Sequence, residues 1–224
     1  FLHPGVDPSK VEGIVLNPMQ QSEPSKVAIF GNACYSWNIW ETNEEADAAW
    51  DASFSYVDHN NAIPNNASNA LRELSKHMIN QNMDSRVTAL QESVAIRDTL
   101  TAFKEKLNAG TVTKEECDEI IAIFEKLQNA AEVYTASGNE RIKGQIIYWL
   151  RCWADTTDAA IALLEAVKAD IAGDTNALLT KYNLRDMWYK INGHPDKVCN
   201  FSSIEARKNA WSILKDIKKF TRNI

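Results

Sequence analysis

The chain has 224 residues, 45% of them hydrophobic and 24% charged, with a formal net charge of −6. That length can bury a sizeable core in one large domain or two small ones, and the composition is that of a soluble globular protein. No block of like charge exceeds three residues, which argues against nucleic acid and anionic membranes as partners, because both select clustered Lys or Arg. The single basic cluster, Lys215 to Arg222, falls at a helix end, where it complements the helix dipole. No apolar run reaches the ~18 residues that a membrane-spanning helix needs. The chain begins at Phe1 with neither Met nor a signal peptide, the expected mark of a fragment or a processed product.

Residues 1–12 contain two prolines and a glycine and read as a loop. Gly13-Ile14-Val15-Leu16 is a short, wholly apolar run. It reads as a strand of the kind that a parallel sheet buries on both faces. Asn17-Pro18-Met19 follows it, a polar residue at a strand end before a tight turn. This is how α/β sheets and barrels present polar groups to ligands. Taken alone, Asn17 also fits an ordinary turn or cap. Ser22 is a candidate N-cap and Pro24 suits the first turn of a helix reaching about Trp37.

Thr42-Asn43-Glu44-Glu45 is a capping box, which predicts a helix to about Val57. The Asn-rich stretch from Asp58 to Ser68 reads as a loop, and a helix from about Ala67 to Ile79 follows it. Leu90, Val94, Ile96, Leu100, Phe103 and Leu107 recur at helical spacing, with Gly110 as the stop. Thr113-Lys114-Glu115-Glu116 is a second capping box. It heads a stripe of Cys117, Ile120, Ile121, Phe124, Leu127, Ala131 and Tyr134 that ends at Gly138. The longest helix is expected from about Asn139 to Ala172, stopped by Gly173. A shorter one carries Leu178 to Ile191, and Ser202-Ser203-Ile204-Glu205 caps the last. Amphipathic helices joined by short Gly-containing turns make an antiparallel bundle.

Little in the bundle points to chemistry. His3, His59, His77 and His194 form no i, i+4 pair, and Cys34, Cys117, Cys152 and Cys199 form no CxxC. No metal site and no cofactor are therefore expected. Cys117 and Cys152 fall on apolar faces as buried thiols. Glu115, Glu116, Asp118, Glu119 and Glu125 lie on solvated helix faces, and the chain holds no Asp-Asp dipeptide. Trp149 and Trp153 share one helix face, as core residues or as a sugar-stacking platform. Asn66-Ala67-Ser68 and Asn200-Phe201-Ser202 match the glycosylation sequon, a pattern short enough to arise by chance.

Gly13-Ile14-Val15-Leu16-Asn17-Pro18-Met19, then Glu23-x-Ser25-Lys26-Val27-Ala28, then Tyr35-x-Trp37-Asn38 resembles the last βα unit of glycoside hydrolase family 84. These are the β-N-acetylglucosaminidases, including O-GlcNAcases and the clostridial enzymes named hyaluronidases. The chain departs from the family pattern at Gln20, where Glu is usual, and at Pro24, where Ala or Ser is usual. Leu90-Gln91-Glu92-Ser93, Lys181-Tyr182-Asn183 and Met187-Trp188-Tyr189 resemble the family's post-catalytic helical domain.

The resemblance implies a mainly α fold: an antiparallel bundle, residues 42–224, preceded by the last βα unit of a (β/α)₈ barrel, residues 1–41. It implies an enzyme that removes terminal β-linked N-acetylglucosamine from a glycan or glycoprotein with retention, using the substrate's acetamido oxygen as nucleophile. Two adjacent aspartates on an earlier barrel strand would carry the proton transfers, and this chain has no equivalent. Asn17 matches the family Asn that hydrogen-bonds the bound sugar. The implied partner is an upstream barrel domain, and the implied setting is a bacterial secreted or cell-surface enzyme. On this reading the chain alone is inactive. The competing reading is a helical protein- or glycan-binding module, or a spacer, without catalysis.

Overall fold

The computed structural model describes residues 4–77 and 94–174, and its regular structure there is helical. A 3₁₀ turn spans Pro8–Lys10. Six helices follow: α1 Ser22–Trp37, α2 Asn43–His59, α3 Asn66–Ser75, α4 Val94–Asn108, α5 Lys114–Ser137 and α6 Glu140–Ile171. The mainly α bundle read from the periodicity is thus the fold of the described residues. The predicted elements beyond Asp174, the segment 78–93, His3, His194, Cys199 and the Trp188–Tyr189 pair lie outside them.

The strand expected over Gly13–Leu16 is not formed. Residues 11–20 have no regular structure and all are exposed. A strand exists only as one side of a hydrogen-bonded ladder, and among the described residues no strand forms to pair with it. Ser22 is the first residue of α1 rather than its cap. Gln21 takes the cap position and makes no side-chain cap bond.

Elsewhere the local signals act as expected. Thr42 Oγ1 accepts the Glu45 N–H at 3.3 Å, while Glu45 reaches back to the Glu41 N–H at 2.8 Å. The Thr113 box closes in both directions: Thr113 Oγ1 accepts from the Glu116 N–H at 3.2 Å, and Glu116 Oε2 accepts from the Thr113 N–H at 3.0 Å. Two orphan donors are satisfied by one pair of side chains. Gly110 and Gly173 sit at φ 68° and 72°, just past α4 and α6. The amide after each glycine turns back to Lys106 O and Ala169 O, at 3.0 and 2.9 Å. This is the left-handed stop that glycine adopts without steric cost.

The described residues fall into two compact units. The first comprises residues up to Arg72 together with Val133–Ile147. In it α1 packs on α2, with Phe30 stacked on Tyr56 at a centroid distance of 5.2 Å and Tyr35 edge-on to Trp40 at 4.9 Å. The second comprises Glu73–Glu132 and the residues from Tyr148 onward. Here Cys117, Ile120, Ile121, Phe124 and Leu127 of α5 are buried, as are Cys152, Trp153, Ala160, Leu163, Leu164 and Val167 of α6. Each fully buried Leu, Ile or Phe stabilises by roughly 1.5–3 kcal/mol relative to exposure. Lys168 donates to Asp118 and Gln128 donates to Asp158, so ten residues forward on α5 match ten residues back on α6. The two helices therefore run antiparallel.

Candidate functional site

Asn17, the site residue nominated by the sequence, lies on the exposed segment between the 3₁₀ turn and α1. Its apolar neighbours are exposed as well: Val15 is 98% accessible, and Ile14, Leu16 and Met19 are uncovered. A loop rich in apolar side chains gains nothing from solvent, so this stretch is the part of the described chain whose sequence and surroundings disagree most.

The segment is anchored where it enters α1. The side chain of Gln145, on α6, reaches the first turn of α1: its Oε1 accepts the Glu23 N–H at 2.8 Å, and its Nε2 donates to Ser22 Oγ at 3.2 Å. Ser25, which is buried, donates from its hydroxyl to Gln21 O at 2.7 Å. Gln21, Ser22 and Glu23 are thus held by side chains, one of them from a residue 122 positions away. Nothing in the local pattern announces Gln145, because its partner is remote in sequence.

Two further polar constellations are buried. Asp58 accepts at Oδ1 from the Tyr134 hydroxyl at 3.1 Å and from the Asn139 N–H at 3.0 Å, and its carbonyl accepts from Asn139 Nδ2 at 2.7 Å. Its other oxygen lies 3.3 Å from His59 Nδ1. Burial, and then the Asp58 charge, raise the Tyr134 phenol far above its ordinary value, so it remains a donor. In the second constellation His77 is 3% exposed, with its ring centroid 6.0 Å from that of Trp153. His77 Nδ1 and Trp153 Nε1 are both buried and find no hydrogen-bond partner among the described residues. Burial pushes the His77 imidazole down from 6.5 to about 4. Glu73 opposes that shift, while Lys76 and Lys126 add to it. Asp58, Gln145 and the burial of His77 all escaped the sequence reading, which placed Asp58 at the start of a loop.

The remaining candidates settle as core or surface. Trp153 is 4% exposed, and Trp149 packs against Cys152, so this pair serves the core rather than a sugar platform. Cys117 and Cys152 are buried thiols, as expected. Burial raises the Cys117 thiol to about 11, which makes it inert as a nucleophile near neutral pH. Among the described residues no three His, Cys, Asp or Glu side chains gather as a metal site, and no helix is long and apolar enough to cross a membrane.

The fold thus defines a helical bundle protein with an exposed, apolar N-terminal segment that carries Asn17. Residues 1–76 match the family model described as beta-N-acetylglucosaminidase, a stretch that includes Asn17 and all of α1 to α3. In fold the chain is similar to the solved structure of CpGH84D, with a TM-score of 0.68 and 23% identity over 89% of this chain and 34% of that one. The chain spans about a third of that relative's length. Residues 1–76 are thus similar in sequence to the beta-N-acetylglucosaminidase family, the resemblance noted from Gly13 to Asn38, and most of the chain shares its fold with the CpGH84D structure.

Proposed function

We propose that this chain is the C-terminal part of a secreted or cell-surface glycoside hydrolase that removes terminal β-linked N-acetylglucosamine from glycans or glycoproteins. The observation that carries the reading is the family match across Asn17, on a segment whose apolar residues Ile14, Val15 and Leu16 lie uncovered. In the whole enzyme that run is the last strand of a (β/α)₈ barrel. The neighbouring strands and helices bury it on both faces and place Asn17 at the strand's C-terminal end, where such barrels hold their sites.

There the Asn17 amide hydrogen-bonds a hydroxyl of the bound sugar. The reaction itself belongs to residues outside this chain. The substrate's acetamido oxygen attacks the anomeric carbon to form an oxazoline, and water reopens it with net retention. One carboxyl group protonates the leaving oxygen while its neighbour orients the acetamido group. The helices of α2 to α6 support the barrel.

The test compares this chain with the longer enzyme on a chromogenic N-acetyl-β-glucosaminide. The chain alone is expected to give no turnover above the uncatalysed rate. The enzyme turns over, and Asn17→Ala lowers its kcat/KM by about 10- to 100-fold, the range for one sugar hydrogen bond left unmade. Turnover by the isolated chain, or an Asn17→Ala enzyme indistinguishable from wild type, would overturn the proposal.

A further inference from the structure

We infer that Gln145 is a positioning residue for Asn17: it fixes the first turn of α1 and so the loop through which Asn17 meets the sugar. The inference rests on the sugar-pocket reading of Asn17. The N-terminus of a helix leaves its first amides without intrahelical partners. In α1 the usual remedy is missing, because the N-cap residue Gln21 makes no side-chain cap bond. Pro24, at the third helical position, has no N–H to offer. The Glu23 N–H is satisfied instead by Gln145 Oε1 at 2.8 Å, and the same amide group donates to Ser22 Oγ at 3.2 Å. Both ends of one side-chain amide are therefore spent on two consecutive residues of α1.

The lever from this anchor to the site is short. Asn17 precedes Ser22 by five residues, a span of at most about 17 Å when fully extended. With residues 13–16 read as the last barrel strand, only residues 18–21 join Asn17 to α1, so on that side the placement of Asn17 depends on how firmly the α1 end is held. Gln145 is suited to this task and to no catalytic one. It is neutral, it is bonded at both amide atoms, and it sits in the second turn of a helix that begins at Glu140.

The experiment has two arms. In this chain, amide hydrogen exchange is measured at Glu23 for wild type, Gln145→Ala and Gln145→Glu. Gln145→Ala is expected to speed exchange at Glu23 about tenfold. Gln145→Glu is expected to restore protection, since a carboxylate accepts the same N–H and suits the positive end of the helix dipole. Unchanged exchange in Gln145→Ala would overturn the anchoring.

In the longer enzyme, KM and kcat are measured for wild type, Asn17→Ala, Gln145→Ala and the double variant. Gln145→Ala is expected to raise KM about three- to tenfold with kcat little changed, as for lost binding shared by ground and transition states. In the Asn17→Ala background it should add nothing, because its effect passes through Asn17. An equal rise in KM in both backgrounds would overturn the inference while leaving the Asn17 reading intact. If Asn17→Ala itself leaves KM and kcat unchanged, the sugar-pocket reading falls and this inference with it.

Discussion

The Tyr134 hydroxyl donates to Asp58 Oδ1 at 3.1 Å, joining residues 76 positions apart in one buried hydrogen bond. Asn139 donates to the same residue twice, from its backbone N–H and its side-chain amide, while its own Oδ1 accepts from the Arg141 N–H at 3.0 Å at the head of α6. The end of α2, the end of α5 and the start of α6 thus meet on one carboxylate. Removing that carboxylate strands a buried hydroxyl and a partly buried amide. Asp58→Ala is expected to cost about 3 kcal/mol, and Tyr134→Phe, which leaves the Asn139 bonds in place, about 1 kcal/mol. Urea titrations with unchanged m-values check both.

The same bond sets an alkaline limit. The folded Tyr134 pKa lies above its ordinary value of 10.0, so the native state keeps a proton that the unfolded chain releases there. Stability is complete below pH 10 and falls as pH rises beyond it. Wild type is expected to lose stability above pH 10 more steeply than Tyr134→Phe, read as the difference in urea midpoints between pH 9 and pH 11.

His77 acts at the other end of the scale. Its folded pKa is depressed from 6.5 to about 4, chiefly by burial. Between those values the unfolded chain binds a proton that the native state does not, so stability falls as pH drops from 6.5 towards 4. The shift corresponds to about 3 kcal/mol at most. His77→Gln removes this contribution. Wild type should therefore lose up to about that much more than the variant between pH 7 and pH 4, and parallel pH profiles would refute the assignment.

Two glycines predict opposite outcomes. A Cβ built on Gly138 would lie 2.6 Å from the Tyr134 ring, whereas one on Gly144 meets nothing within 4 Å. Tyr134 is held by Asp58 and wholly buried, so its ring has no room to yield. Gly138→Ala is expected to destabilise by about 2 kcal/mol. Gly144→Ala, at an exposed position in the second turn of α6, is expected to stabilise by about 0.5–1 kcal/mol. Thermal unfolding of the two variants side by side provides the check.

The helices were legible because their signals are local. A Thr and a Glu three residues apart suffice to head α2 and α5, and a glycine suffices to end α4 and α6. The box that heads α3 was missed because Ser68 stands where Glu or Gln is usual: Ser68 Oγ accepts from the Asn65 N–H at 3.0 Å, and Asn65 Oδ1 from the Ser68 N–H at 2.8 Å. Asp58 and Gln145 left no local trace, since their partners lie 76 to 123 residues away. Gly13–Leu16 has the composition of a strand, but composition supplies no partner strand. Asn17 was legible through the resemblance alone, because an exposed Asn after an apolar run is as common in turns as in sites.

Val15 separates the environment seen in this chain from the one proposed for the enzyme. Here it is 98% exposed, and replacing an exposed side chain away from any bond changes stability by within about 0.5 kcal/mol. In a parallel barrel strand the same side chain is covered, since successive residues point to opposite faces and both faces are buried. An aspartate there would be a charge without a partner in an apolar layer, a change that costs several kcal/mol or prevents folding. Val15→Asp is therefore expected to leave the urea midpoint of this chain unchanged, while abolishing soluble, active longer enzyme. A longer enzyme that tolerates Val15→Asp at full activity would show that residues 13–16 are no part of a buried sheet, and would remove the ground for placing Asn17 at a strand end.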